Sequence, residues 1–208
     1  MIAEGSATDS IKFTSNAETP AKSDWYGIVI KNIQVIRLKY VALSYANYGF
    51  KVSSGYLYSG DSIRIENSHI RYLSSQVIGG SGIYLFDQTA ISIMNSTFTD
   101  VSGIIQTLSL YSSIVRIEGN KFYSIGGSGS GPGSYSSLIE TCDIRNFSGK
   151  LIVSNNVQSG GKGSINITSE YTSEGTTTDY HAIIENNIFT GQSNISFIGK
   201  KASDGWVY

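Results

Sequence analysis

Apolar side chains recur along this chain on two scales. Over a few residues they alternate with polar ones, as in Ile63-Arg64-Ile65-Glu66 and Val115-Arg116-Ile117-Glu118, the period of a strand with one buried face. Over a longer span one phrase returns. It reads Ile65-Glu66-Asn67-Ser68-His69-Ile70, then Ile93-Met94-Asn95-Ser96-Thr97-Phe98, then Ile117-Glu118-Gly119-Asn120-Lys121-Phe122. Weaker copies follow at Val153-Ser154-Asn155-Asn156-Val157 and Ile184-Glu185-Asn186-Asn187-Ile188-Phe189, and a degenerate one, Leu38-Lys39-Tyr40-Val41-Ala42-Leu43, precedes them. The five main copies start 28, 24, 36 and 31 positions apart, a spacing that predicts stacked repeats built of strands.

A Gly-led strand precedes each Asn-bearing one: 49–52 before 63–70, 82–86 before 91–98, and 103–110 before 115–122. Residues 11–15 open the series, a polar loop with Pro20 follows at 16–24, and 195–198 is expected to start one more turn. No such strand buries its apolar face alone, so each unit of about 30 residues must stack on the next. With every strand parallel to its counterpart one unit later, the apolar positions form files inside a coil and the backbone groups pair between units. Asn67, Asn95, Asn155 and Asn186 end strands at equivalent places. They are expected to take the turn conformation and to form a structural ladder, each hydrogen-bonding its equivalents above and below. The expected fold is all-β, a single-stranded parallel β-helix of about seven rungs, forming one domain over 1–208.

Composition agrees with this. A chain of 208 residues, 40% hydrophobic and 15% charged, is long enough for one core and does not need two. Its 23 glycines and two prolines favour short strands joined by polar turns. A formal charge of −1 leaves no excess field for a polyanion, so nucleic acid is not an expected partner. The lone Cys142 excludes an intrachain disulfide and leaves the redox compartment open. No stretch approaches the roughly 20 apolar residues of a membrane span, so no membrane insertion is expected. Met1-Ile2-Ala3-Glu4-Gly5 has neither the basic end nor the apolar run of a secretion signal, and the signal of an exported parent would lie outside this chain.

The Asn-bearing phrases, with Ala3-Glu4-Gly5-Ser6-Ala7, Ile11-Lys12-Phe13-Thr14-Ser15 and Asp24-Trp25-Tyr26-Gly27-Ile28, resemble right-handed parallel β-helix proteins of the pectate-lyase-like superfamily. The opening is similar to the passage "AEGTA…I-x-FTS…DWGGI" of large secreted or surface-displayed bacterial and archaeal β-helix proteins. The resemblance covers nearly the whole chain. It implies a right-handed coil and an extracellular or cell-surface location, and says little about activity, because that fold hosts lyases, hydrolases, epimerases, tailspikes, adhesins and inert stalks. Residues 195–206 echo 11–25, and a coil that begins and ends in the same unit lacks complete end caps. This predicts a segment of a longer β-helix, or ends that meet another copy in end-to-end self-association.

Candidate chemistry lies on outward positions. The densest polar group holds Asp61, Arg64, Glu66, His69 and Arg71. Arg64, Glu66, His69 and Arg71 would supply an acid, a base and guanidinium groups to a lyase or epimerase acting on an acidic polysaccharide. The same spacing makes Arg64 with Glu66, and Arg116 with Glu118, plain exposed ion pairs about 7 Å apart along a strand. The Asn-Thr-Asp, Asp-Asp, Gly-His-Gly and Arg-Ile-Lys signatures of polygalacturonases are missing, as is a calcium-holding aspartate cluster, so neither metal nor cofactor is expected. The glycine-rich run 126–133 reads as a loop and not as a phosphate cradle.

Fourteen tyrosines gather mainly in the first half. Tyr56 and Tyr58, in the loop 53–61, and Tyr84 are candidates to stack on a sugar ring, although such rings equally serve to cover the flank of a coil. The first expectation is therefore an extracellular scaffold or adhesion module that binds glycan or self-associates, and the second is the polysaccharide lyase or epimerase. The missing signatures weigh against an enzyme.

Overall fold

Asn67 divides what the alternation runs together. It adopts φ 47° and splits residues 63–70 between two strands, Ser62–Glu66 and His69–Arg71. Asparagine is one of the few side chains that enter this left-handed region readily. Asn95, Asn155 and Asn186 repeat the turn at φ 49°, 56° and 54°. Gly119 makes it at φ 66°, where a Cβ would stand 2.5 Å from the Asn95 side-chain oxygen.

A computed structural model describes residues 1–31, 35–53, 56–57, 60–79, 83–85, 89–111, 113–126, 137–145, 150–161, 164–171, 181–190, 195–201 and 205–207. Every regular element among them is a strand. The first sheet holds seven strands in the order Ile2–Glu4, Val35–Lys39, Ser62–Glu66, Ala90–Met94, Ile114–Glu118, Lys150–Ser154 and His181–Glu185. The second sheet holds Ile11–Phe13, Val41–Ser44, His69–Arg71, Thr97–Thr99, Lys121–Ile125, Val157–Gly161 and Ile188–Phe189. The third runs from Ile28–Ile30 through Phe50–Val52, Gln76–Gly79, Gly103–Tyr111, Ser137–Arg145 and Ile165–Tyr171 to Ile195–Lys201, with Tyr56–Leu57 and Ile83–Leu85 joined beside it. Successive strands of each sheet come from successive passes of the chain and pair in parallel, for example Ile63 with Ile91 and Ile91 with Val115. The molecule is a parallel β-solenoid of three sheets.

Residues 195–198 open a further pass as the next strand of the third sheet, but not as the counterpart of 11–13. Ile195–Lys201 pairs with Ile165–Tyr171 in the third sheet, whereas Ile11–Phe13, its supposed counterpart, lies in the second. The two segments share strand alternation, which is common to all three sheets, and so sequence likeness misassigned the position. Gly205–Val207 then turns back antiparallel onto Gly199–Lys201 and covers that edge of the third sheet.

Side chains inside the coil meet in files. Leu38, Ile65, Ile93 and Ile117 succeed one another on the first sheet, all at 1% exposure or less. On the second sheet Phe98 and Phe122 stack with centroids 5.3 Å apart. Each such side chain adds about 1.5–3 kcal/mol by leaving water.

The structural ladder lies one residue beyond the expected one. Asn67, Asn95, Asn155 and Asn186 are exposed, and no hydrogen bond joins any two of their side chains. A residue with positive φ at a convex corner points its side chain outward, and the next residue points in. Ser68 Oγ accepts from the Val41 N–H at 3.1 Å, Ser96 Oγ from Ser68 at 3.1 Å, and Asn120 Oδ1 from Ser96 at 2.9 Å. Asn156 Oδ1 accepts from the Asn120 N–H at 2.9 Å and Asn187 Oδ1 from Asn156 at 3.0 Å. Each asparagine amide also donates to a carbonyl of the preceding pass, as Asn156 Nδ2 does to Ile117 O at 2.7 Å. The buried backbone at the corner is thereby satisfied within the coil.

Asn156→Ala should lower stability by about 2–4 kcal/mol, because it orphans a buried donor and a buried acceptor. Asn67→Gly should stay within about 0.5 kcal/mol of the parent. Urea unfolding of both variants checks this; a larger loss in Asn67→Gly would return the ladder to the turn asparagines.

Candidate functional site

The strand register sets which outward side chains are neighbours. On the first sheet one outward file runs Lys39, Glu66, Met94, Glu118, Ser154 and Glu185. The file beside it runs Arg37, Arg64, Ser92, Arg116, Ile152 and Ile183. Arg64 donates from Nε to Glu66 Oε1 at 2.6 Å, and its Nη2 lies 2.5 Å from the same oxygen. Arg116 and Glu118 stand 3.5 Å apart. Both carboxylates therefore have a guanidinium partner in their own strand.

His69 and Arg71 follow the Asn67 corner and stand on the outer face of the second sheet. Outer faces of a closed coil diverge at its corners. The four residues considered for acid–base chemistry thus form two pairs, Arg64 with Glu66 on one face and His69 with Arg71 on the next. His69 has its pKa lowered, first by partial desolvation of the ring and then by the Arg71 charge, so its imidazole is held neutral near pH 7. Among the described residues no three His, Cys, Asp or Glu side chains are grouped to hold a metal ion.

A second constellation forms where residues 14–27 cross the coil. Tyr45, Tyr72, Asp100 and Ser124 make a second left-handed corner at φ 63°, 55°, 54° and 53°, and the Tyr45 and Tyr72 rings stack at 5.1 Å. The segment straps across this corner. Thr14 Oγ1 lies 2.9 Å from Ser44 Oγ, Trp25 Nε1 donates to Ser44 O at 2.9 Å, and the Asp24 N–H donates to Tyr45 O at 3.1 Å. Ser23 and Ser74 share a hydroxyl contact, and Lys22 Nζ reaches Asp100 at 2.7 Å. The strap is braced internally by Asp24, which accepts from Ser15 Oγ at 2.5 Å and from the Ala21 N–H at 3.0 Å. These two bonds hold the Asp24 carboxyl below its ordinary pKa.

The strap delivers Tyr26 to the outside of the third sheet. Tyr26 is 52% exposed, and its ring lies 5.7 Å from that of Tyr48, tilted by 55°. The Tyr48 ring rests across Gly79, where a Cβ would come within 2.5 Å of Cδ1, and Lys51 Nζ sits 4.5 Å from the centre of the same ring. Only glycine leaves room for this seat. The result is an aromatic pair that exposes Tyr26, with an ammonium group over the Tyr48 ring, suited to a sugar face and its polar rim.

Of the tyrosines chosen from sequence, Tyr58 lies outside the described residues, as do the side chains of Tyr56 and Tyr84. The backbones of Tyr56 and Tyr84 are register partners on adjacent strands of the third sheet. Tyr26 and Lys51 were missed. The cue for Tyr26 was its place directly after Trp25 in the Asp24-Trp25-Tyr26-Gly27 turn; no sequence cue brings Lys51 or Gly79 to the same ring.

Comparison with known proteins leaves the fold as the class of this molecule, since no family model, no curated protein and no solved structure matches the chain. It is a parallel β-solenoid by its strand topology.

Two titrations test these assignments. His69 should protonate below the ordinary histidine range, and Arg71→Gln should raise its midpoint without restoring it fully, as followed by NMR of the ring protons; no movement would remove Arg71 as a cause. Asp24 has a folded pKa below its unfolded value, so its bracing of the strap is complete above the unfolded pKa and is lost as pH falls through the folded one. Protection of the Ala21 amide, relative to its intrinsic exchange rate, should fall over that acidic window, and Asp24→Asn should abolish this change in protection.

Proposed function

We propose that this chain is a rigid β-helical scaffold or adhesion module, extracellular or at a cell surface, that binds glycan on its tyrosine-bearing flank. We place it with the pectate-lyase-like proteins on the strength of its opening passages and Asn-bearing phrases. The observation that carries the binding reading is the exposed Tyr26 ring packed against Tyr48, which rests on Gly79 with Lys51 over its face. The Tyr48 ring is held between Gly79, Lys51 and Tyr26, so ordering it on binding costs little entropy. The coil beneath pairs strand to strand in constant register through the first sheet, which suits a display surface.

A lyase or epimerase is the second reading, favoured by one feature, the neutral His69 imidazole beside Arg71. Its weakness is that Glu66 and Arg64 neutralise one another on a different face.

Binding of neutral and acidic oligosaccharides by calorimetry tests the first reading. Tyr26→Ala should weaken binding by about three- to tenfold, the contribution of one stacked ring, while the unfolding midpoint stays unchanged. Undiminished binding by Tyr26→Ala would end the platform assignment. For the second reading, unsaturated uronate absorbance should appear with pectate, alginate or glycosaminoglycans and vanish in His69→Ala; no product from any of them removes a lyase.

A further inference from the structure

The outer face of the second sheet differs in its charge from that of the first. On the first sheet each outward arginine has a carboxylate: Arg37 with Glu4, Arg64 with Glu66, Arg116 with Glu118. On the second, the outward file through consecutive passes reads Lys12, Ala42, His69, Thr97 and Lys121, with Arg71, Thr99 and Tyr123 beside it. Lys12, His69, Arg71 and Lys121 are exposed. Among the described residues none of the four has a carboxylate within ion-pair distance. Asp100, at the corner beyond Thr99, is paired with Lys22. Arg71 instead lies 5.4 Å from the centre of the Tyr72 ring.

The three permanent cations, Lys12, Arg71 and Lys121, alternate. They fall on the first, third and fifth strands of the sheet, and the strands between carry Ala42, Thr97 and Thr99. Neighbouring strands lie about 4.8 Å apart, so the charged levels recur about every 10 Å. An extended polysaccharide advances by roughly that distance per disaccharide, and the Thr97 and Thr99 hydroxyls on the strand between Arg71 and Lys121 are suitable partners for the neutral sugar between two acidic ones. Beyond Lys121 the file continues as Val157 and Ile188, which ends the charged path. Nucleic acid fits poorly, because its phosphates come several to each such interval and so sparse a file would displace few counterions.

We propose that this face binds a polyanionic glycan bearing one acid group per disaccharide, laid along the stacking direction from Lys12 to Lys121. The inference rests on the reading of the chain as a glycan-binding scaffold, but uses a different surface from the tyrosine platform. The lysines and Arg71 are distant in sequence and sum to nothing in a near-neutral chain; the coil gathers them.

The test is calorimetry of the full chain with hyaluronan oligosaccharides, in which uronate alternates with a neutral sugar. Affinity should rise from disaccharide to hexasaccharide, which meets all three charged levels, and then level off. Lys12→Gln, Arg71→Gln and Lys121→Gln should each weaken hexasaccharide binding about two- to fivefold, the range of one exposed ion pair. The triple variant should lose binding, and Arg37→Gln on the first sheet should keep it. Circular dichroism confirms that the exposed substitutions leave the coil intact. Hyaluronan binding that survives the triple variant, or is lost equally in Arg37→Gln, overturns the proposal. So does equal binding of oligothymidylate or of vesicles containing phosphatidylserine, which would mark a general polyanion patch. Tyr26-dependent binding of neutral glycans with no response to the three cations would overturn this inference while leaving the platform standing, and loss of glycan binding altogether would remove both.

Discussion

Each pass of this chain must find its hydrogen-bond partners in the next, and the corner after the first sheet is where that requirement is hardest to meet. A strand can rely on its neighbour, but a turn buried between two sheets leaves amide groups aimed at no strand. The file of Ser68, Ser96, Asn120, Asn156 and Asn187 resolves this by giving each pass a side-chain oxygen for the backbone N–H of the pass before it. Such a file has only one register. A slip by one residue would turn the inward polar atoms outward and put the Asn67-type side chain into the core.

From that constraint follow the surfaces. Once the register is fixed, every outward side chain has defined neighbours one strand away, and the corners decide which residues can act together. Glu66 and His69 are three positions apart in sequence, yet the Asn67 turn sets them on different faces. Lys12 and Lys121 are far apart in sequence, yet the register sets them in one file. Local density of polar residues is therefore a poor guide to chemistry in a solenoid. Vertical neighbours matter more.

Much of the fold was legible because its cause is local and repeated: alternation marks strands, and a recurring Asn before a second short apolar run marks the corner. The inward files Ile65, Ile93 and Ile117 could be named from spacing alone. That the run after each Asn belongs to a different sheet was not, since alternation resumes beyond the corner. The ladder was assigned one place early for a related reason: Asn67 and Ser68 both favour turns, and only the sign of φ decides which of them faces inward. The site was less legible still. Tyr26 reaches Tyr48 because a strap held by Trp25, Ser23 and Lys22 lies across the coil, and those contacts span as many as 78 positions in sequence. No short-range pattern encodes them.

The central claim, that passes stack in one register, is most directly tested by the distance between spin labels at Lys12→Cys and Lys121→Cys in a Cys142→Ser background. Four strand steps separate these positions, so a pulsed electron–electron measurement should give one narrow distribution near about 20 Å between backbones once the label arms are allowed for. A broad distribution, or one centred at twice that distance, would contradict the stacked coil.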